Sequence, residues 1–430
     1  METTITQDIN RSKSLSDFIQ KVELTNFQPL FSEQKRTNSF KLLSQLQFPT
    51  TKDEAWKYTR LGKISGGNYQ LQEGTKESII PELIENLEGT ILVFVNGKYA
   101  IELSKIHPEV GVSISPIHRV DKAWLEANTS IGKNQEELFL LLNDYFAQDG
   151  VAIEIEKNTQ STQTVQVLNY ITENNSLVAT RNAIVIKEGA SIELVMSYYA
   201  ENETNSFSSH ITEITIENNA NFTLHKIQNE NSANLTIATE EIKQGKDSTI
   251  TLHTYTLNGG LVRNNVYANV NGQNSESNLY GIYLLNEKQH VDNHTTIDHQ
   301  VAHCLSNELY KGVLSDQSTG VFNGKVFVRK DAQKINAFQS NANVLLSDLA
   351  SMNSKPELEI YADDVKCSHG STTGQIDEEA LFYLRARGIS EKNAKLLMID
   401  AFIGEVIEKN TNSLVKDKIY SLLQNKQEQL

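Results

Sequence analysis

Four stretches of this chain repeat one design, a small or polar turn followed by alternating apolar residues. They are Gly189-Ala190-Ser191-Ile192-Glu193-Leu194, Asn219-Ala220-Asn221-Phe222-Thr223-Leu224, Asp247-Ser248-Thr249-Ile250-Thr251-Leu252 and Asn274-Ser275-Glu276-Ser277-Asn278-Leu279. Counting from Leu194 to Leu224, Leu252 and Leu279 gives steps of 30, 28 and 27. A period near that value, with short strands broken by Asn and Gly, is that of coils in a parallel β-helix. A β-sandwich with regular strand spacing is the competing architecture. Only six prolines occur in 430 residues, which suits stacked strands whose backbone donors are all needed. A solenoid also needs its open ends covered, and helices at both chain termini are expected to cover them.

The first ~60 residues carry apolar positions at helical spacing, Leu15, Phe18 and Ile19, then Phe40, Leu42, Leu43 and Leu46, closed by Pro49. The compact polar and aromatic segment Asp53-Glu54-Ala55-Trp56-Lys57-Tyr58 reads as a packing element. Ile91 to Val95, Asn96-Gly97, then Lys98 to Leu103 reads as a hairpin on a type I′ turn. A helix with Leu138, Leu141, Leu142, Tyr145 and Phe146 on one face follows the acidic start Glu136-Glu137. After Val151 strands dominate for about two hundred residues. At the C-terminus Asp377 caps a first helix that Gly388 ends, and Ser390 caps a second. That second helix carries Ala394, Leu397, Met398, Ala401 and Phe402 on one face, while Leu396, Ile399, Ile403 and Ile407 widen its apolar surface. Such a helix is either buried internally or docks a partner. The expected division is an N-terminal helical domain 1–88, a β-rich region 89–370 dominated by the β-helix, and a C-terminal helical domain 371–430.

A net charge of −15 argues against nucleic acid, whose phosphates call for clustered Lys and Arg. No run approaches the ~18 apolar residues of a membrane span, and the start lacks the order of a signal peptide, so the expected address is the cytoplasm. With two cysteines, Cys304 and Cys367, neither a disulfide framework nor a four-cysteine metal site can be built within the chain. Neither a P-loop nor a G-x-S-x-G elbow is present, so an ATP-driven process would need another subunit.

Two constellations carry candidate chemistry. Cys367 and His369, two apart on a strand, point the same way. A thiolate and an imidazole on one face can chelate iron or zinc, but they make half a site. The series His290, His294, His299, His303 and Cys304 is also close in sequence. Its interleaved Val291, Thr295, Thr296 and Ile297 read as strand residues of successive coils, so these histidines are taken as structural, with His290 and His294 on one strand face and His303 sharing a face with Leu305.

A broader pattern runs through Ser306-Asn307-Glu308-Leu309-Tyr310-Lys311-Gly312-Val313-Leu314 and Gly320-Val321-Phe322-Asn323-Gly324-Lys325-Val326. It continues in Asp331 to Lys334, Asn336 to Asn341, Leu345-Leu346-Ser347, Lys355 to Ile360, Cys367-Ser368-His369-Gly370 and Leu381 to Arg385, with a weaker echo in Glu54 to Tyr58. In these segments the chain resembles the SufB/SufD family of iron-sulfur cluster assembly proteins. Gly370, where SufB-like chains carry an acidic residue, and the low cysteine count place the likeness in the SufD branch. The resemblance implies a mainly β fold, a right-handed parallel β-helix flanked by helical domains. It also implies a non-catalytic scaffold that pairs with a SufB-like paralogue and docks a SufC-like ABC ATPase through its C-terminal helices, here Leu384, Leu397, Met398, Ala401 and Phe402. By position, His369, with Cys367 beside it, is this chain's contribution to a transient iron-sulfur cluster, or iron, shared at the SufB interface. Whether a reduced flavin joins the complex, and whether the chain homodimerises alone, stay open. A secreted-type β-helix carbohydrate-active enzyme and a self-sufficient SufB-like scaffold are the rival readings.

Overall fold

In this computed structural model the described residues are 15–24, 27–72, 82–129, 137–201 and 204–429. From Gln160 onward, successive strands alternate between two sheets. One sheet runs, in chain order, through Gln160–Ile171, Ser191–Ala200, Asn221–Asn229, Thr249–Asn258, Glu276–Leu285, Leu305–Leu314, Asn336–Leu345 and Lys366–Gln375. The other runs through Ser176–Ile186, Ser206–Ile216, Leu235–Gln244, Leu261–Val270, His290–His299, Thr319–Val328 and Ser351–Ile360. Every neighbour pair along these two series is parallel. Parallel pairing between next-but-one strands is the topology of a β-helix and removes the sandwich alternative.

The repeat seen in the sequence is the register itself. Leu194, Leu224, Leu252 and Leu279 are direct cross-strand partners and all lie buried in the interior. The turn before each of these strands contains a left-handed residue, Gly189, Asn219, Asp247 and Asn274, and the series continues in His303 and Lys334. Asn and Asp tolerate that conformation better than other side chains, which explains the turn composition. Several of these residues also link the coils: Gly189 donates its N–H to Asn218, Asn219 to Lys246, Asp247 to Gln273 and His303 to Gln333, all at 2.8–2.9 Å. His303 is therefore a turn residue and does not share a strand face with Leu305.

The flanking helices cover the sides of the solenoid, contrary to the expectation that they cover its ends. Leu15, Phe18, Ile19, Trp56 and Phe139 pack with Phe207, Ile237 and Leu261 on the outer face of the second sheet. Ile399, Ile403, Ile407 and Ile419 pack with Ile227, Tyr255, Ile282 and Val313 on the outer face of the first. The outward rows of the central coils are themselves apolar, so removing them from water decides where the helices sit. The final strands Ser351–Ile360 and Lys366–Gln375 end their sheets and remain largely accessible. Pro356, which lacks an N–H, lies in one of them.

Three local expectations are refined. Asn96 and Gly97 both have positive φ, at 51° and 80°, as a type I′ turn requires. The second arm of the hairpin, however, is only Lys98–Tyr99, because Ile101–Leu103 forms a 3₁₀ turn and Ile91 pairs instead with Lys105. The helix Leu138–Phe146 is capped by Glu137, which accepts from the Leu140 N–H at 2.9 Å; Glu136 lies outside the described residues. That helix is buried on nearly every side, wedged between Glu33–Leu43 and the second sheet. Leu46 lies beyond the end of Glu33–Leu43 and is exposed.

Because Leu252 is enclosed by stacked partners above and below, Leu252→Ala is expected to destabilise the chain by about 2–5 kcal/mol. A urea-unfolding midpoint compared with wild type measures this.

Candidate functional site

The leucine row does not stay apolar. In unbroken register, Leu279 pairs with Glu308, Glu308 with Gln339 and Gln339 with His369. The row thus turns polar over the last three coils and ends on the exposed strand Lys366–Gln375. Glu308 is buried, and its carboxyl accepts from Thr295 Oγ1 at 2.5 Å and from Gln339 Nε2 at 3.1 Å. Burial pushes that carboxyl up to about 7, against the lowering effect of both hydrogen bonds. A neighbouring row is also polar: Tyr283 Oη donates to Asn343 Oδ1 and accepts from Asn341 Nδ2 at 3.1 Å. Ser354 Oγ donates to Asn341 at 2.9 Å, and Ser371 Oγ reaches Ser354 Oγ at 2.7 Å. The interior of the solenoid therefore opens into a hydrogen-bonded polar mouth.

Cys367 and His369 lie on the inward side of the strand at this mouth, as their spacing predicts. Cys367 packs against the interior cluster and is half-buried, and burial pushes its thiol up. A metal ion or a neighbouring cation would be needed to draw out its thiolate. His369 is exposed. Among the described residues no group of three or more His, Cys, Asp or Glu side chains is placed to hold a metal ion. Between them, Cys367 and His369 offer one thiol and one imidazole.

The C-terminal helices are capped as the sequence expects, but Ala394 is buried with Ile399 and Ile403 and does not share the outer face of Leu397 and Ala401. Asp377 Oδ1 accepts from the N–H groups of Glu379 and Ala380, Gly388 takes φ 88° after the helix Glu378–Ala386, and Ser390 caps Glu391–Ile407 through the Asn393 N–H. Ala394, Ile399, Ile403, Val406 and Ile407 are buried, whereas Leu397 is 50% exposed, Ala401 is exposed, and Leu384, Met398 and Phe402 are half-buried. The sequence reading misses Phe382 and Tyr383, 72% and 57% exposed. The signal in the sequence is the run Leu381-Phe382-Tyr383-Leu384, four large side chains in one helical turn, which cannot all face the core; the structure buries Leu381.

Residues 169–402 match the family model described as "SUF system FeS cluster assembly, SufBD core domain", and residues 18–167 match "SufBD protein N-terminal region". The chain belongs to the SufB/SufD family. Within it the likeness is to SufD: the chain is 31% identical over 380 residues to the iron-sulfur cluster assembly protein SufD of Escherichia coli (strain K12), covering 86% of this chain and 87% of that one. An iron-sulfur cluster assembly SufBD family protein of Synechocystis is 30% identical over 395 residues, 87% of this chain and 86% of its own. The chloroplastic protein ABCI7 of Arabidopsis thaliana is 26% identical over 398 residues, 89% of this chain and 83% of its own. No helix among the described residues is long and apolar enough to cross a membrane.

The histidine series in this SufB/SufD family chain is divided among separate tasks. His290 Nε2 lies 2.9 Å from Thr59 Oγ1, and His294 Nε2 lies 2.9 Å from Asp292 Oδ1. Asp292 Oδ2 accepts from Arg263 Nη1 at 2.8 Å and from Thr59 at 2.5 Å. Arg263 in turn lies 3.7 Å from the centre of the Trp56 ring and donates to the Ala55 carbonyl at 2.7 Å. His290 and His294 thus help to seat the segment Glu54–Trp56 on the second sheet. Burial lowers both imidazoles although Asp292 opposes it. His299 is buried inside the coil against Ser306 Oγ at 2.9 Å, lowered to about 4 by burial, and Cys304 is fully buried beside the Gly272 carbonyl.

Glu308 makes stability depend on pH in a defined direction. Its folded value of about 7 lies above its ordinary 4.5, so between these values the folded chain keeps a proton that the unfolded chain has released. Stability falls as pH rises through that window and levels off above it. Between pH 5 and pH 8, unfolding free energies are expected to move in favour of Glu308→Gln over wild type by about 2–3 kcal/mol.

Proposed function

We propose that this chain is a SufD-like, non-catalytic scaffold subunit of an iron-sulfur cluster assembly complex. The observation that carries this reading is the placing of Cys367 and His369 together on the last strand of an uncovered solenoid end. A strand edge left in this state is a template for another chain, and Phe338, Leu349, Ile360 and Tyr361 are exposed apolar residues in its final coils. A SufB-like paralogue is the partner proposed for this end. His369 and, beside it, Cys367 would donate to a nascent cluster or to iron held between the two subunits, which is the cargo of the complex. The two-donor set fits a shared site better than a self-sufficient one.

The second proposed partner is a SufC-like ABC ATPase, docking on Leu384, Leu397, Met398, Ala401 and Phe402, with Phe382 and Tyr383 extending the same helical pair. Large exposed aromatic and aliphatic side chains on two adjoining helices are the kind of surface a partner buries. Closure of two ATPase copies on ATP would then shift the two scaffold subunits and expose the interface ligands. No observation favours the polysaccharide-cleaving alternative.

Co-expression with SufB-like and SufC-like partners tests both contacts. His369→Ala is expected to leave the complex assembled and to lower its iron and cluster content about tenfold or more, a loss of the size seen when metal-site residues are removed. Phe382→Asp combined with Leu397→Asp is expected to release the ATPase while the SufB-like subunit stays bound. Failure of the wild-type chain to capture either partner would overturn the scaffold assignment.

A further inference from the structure

Gln339, directly beside His369 in the register of the final strands, is only 3% exposed. Its Nε2 donates to Glu308 Oε1 at 3.1 Å, and Glu308 is held in turn by Thr295 on the opposite sheet. Room for the amide comes from Gly324, where an added Cβ would lie 2.2 Å from Gln339 Nε2. With its donor end fixed, the amide is left with Oε1 pointing elsewhere. That oxygen is buried and has no hydrogen-bond partner among the described residues. An unmatched buried acceptor is costly, and the adjacent inward-facing residue in the row is a histidine, whose ring N–H is the donor that would satisfy it.

We infer that Gln339 is a positioning residue for His369. Rotation of the exposed His369 ring onto the unpartnered Oε1 would give that oxygen one ring N–H, which fixes the imidazole in one tautomer and leaves the other nitrogen's lone pair free for a ligand. A ligating imidazole needs its second nitrogen hydrogen-bonded in this way, because that bond sets both tautomer and ring direction. Thr295 and Glu308 act one step further back, by preventing the amide from turning over. The inference rests on the proposed role of His369 as a ligand, but the pairing itself can be read without a cluster.

The test uses the full chain labelled with ¹⁵N-histidine, its His369 signals identified by their loss in His369→Ala. The ¹⁵N shifts of the two ring nitrogens report the tautomer ratio. Gln339→Met keeps the volume and removes the acceptor, and Gly324→Ala displaces the amide without changing Gln339. Each is expected to change the His369 tautomer ratio by about fivefold or more, the equivalent of one hydrogen bond, with thermal unfolding confirming that the chain is folded. Unchanged His369 shifts in folded Gln339→Met would overturn the pairing. In the reconstituted complex, Gln339→Met is expected to lower iron content while subunit stoichiometry holds. A changed tautomer ratio with full iron content in both Gln339→Met and His369→Ala would support the pairing and overturn instead the ligand role of His369.

Discussion

In-register stacking of parallel strands is the constraint on which the rest of this molecule depends. Each interior position sits against its counterpart one coil above and one coil below, so Leu194, Leu224, Leu252 and Leu279 form a continuous apolar line. Burial of such side chains contributes about 1.5–3 kcal/mol each, and in a solenoid that gain comes chiefly from nearest neighbours. The last coil has a neighbour on one side only. Its two strands end their sheets and remain largely accessible.

The same register explains how chemistry reaches that end. A row fixed by stacking cannot change direction, so substituting Glu308 and Gln339 into the leucine row carries polarity along the axis to His369. Burying Glu308 is tolerable because Thr295 and Gln339 satisfy its oxygens and because its proton is retained up to about pH 7. Tyr283, Asn341 and Asn343 form a second connected network beside it. A fully connected network holds its members in defined orientations, so the mouth is a shaped surface.

The helical layers are secured by buried charge as well as by apolar contact. Arg263 sits under Trp56 and joins the Ala55 carbonyl, Asn265 and Asp292, tying the N-terminal layer to two successive coils. Arg181 does the same elsewhere, reaching Glu213, Asp144 and the Thr129 carbonyl. Breaking such a buried pair leaves an uncompensated charge, so these contacts fix where each layer sits. On the opposite sheet, Lys311 reaches the Phe402 carbonyl and Glu405, holding the inner face of Glu391–Ile407 down while Leu397 stays outward.

What the sequence by itself determined are the features set by short-range chemistry. The Asn and Gly turns and the alternation after them specify regularly spaced strands, whose parallel pairing into coils the structure decided; Asn96-Gly97 specifies a tight turn, and Asp377, Gly388 and Ser390 mark the C-terminal helices. The spacing of Cys367 and His369 specifies a common face. Tertiary structure alone decided that the helices lie along the sides, since both outer faces and both interior faces carry apolar residues and local periodicity does not rank them. It also decided that Leu279, Glu308, Gln339 and His369 form one line. Their separations of 29, 31 and 30 residues differ because the turns absorb the variation in coil length. Only the hydrogen-bonded stacking of the strands fixes which side chain stands above which.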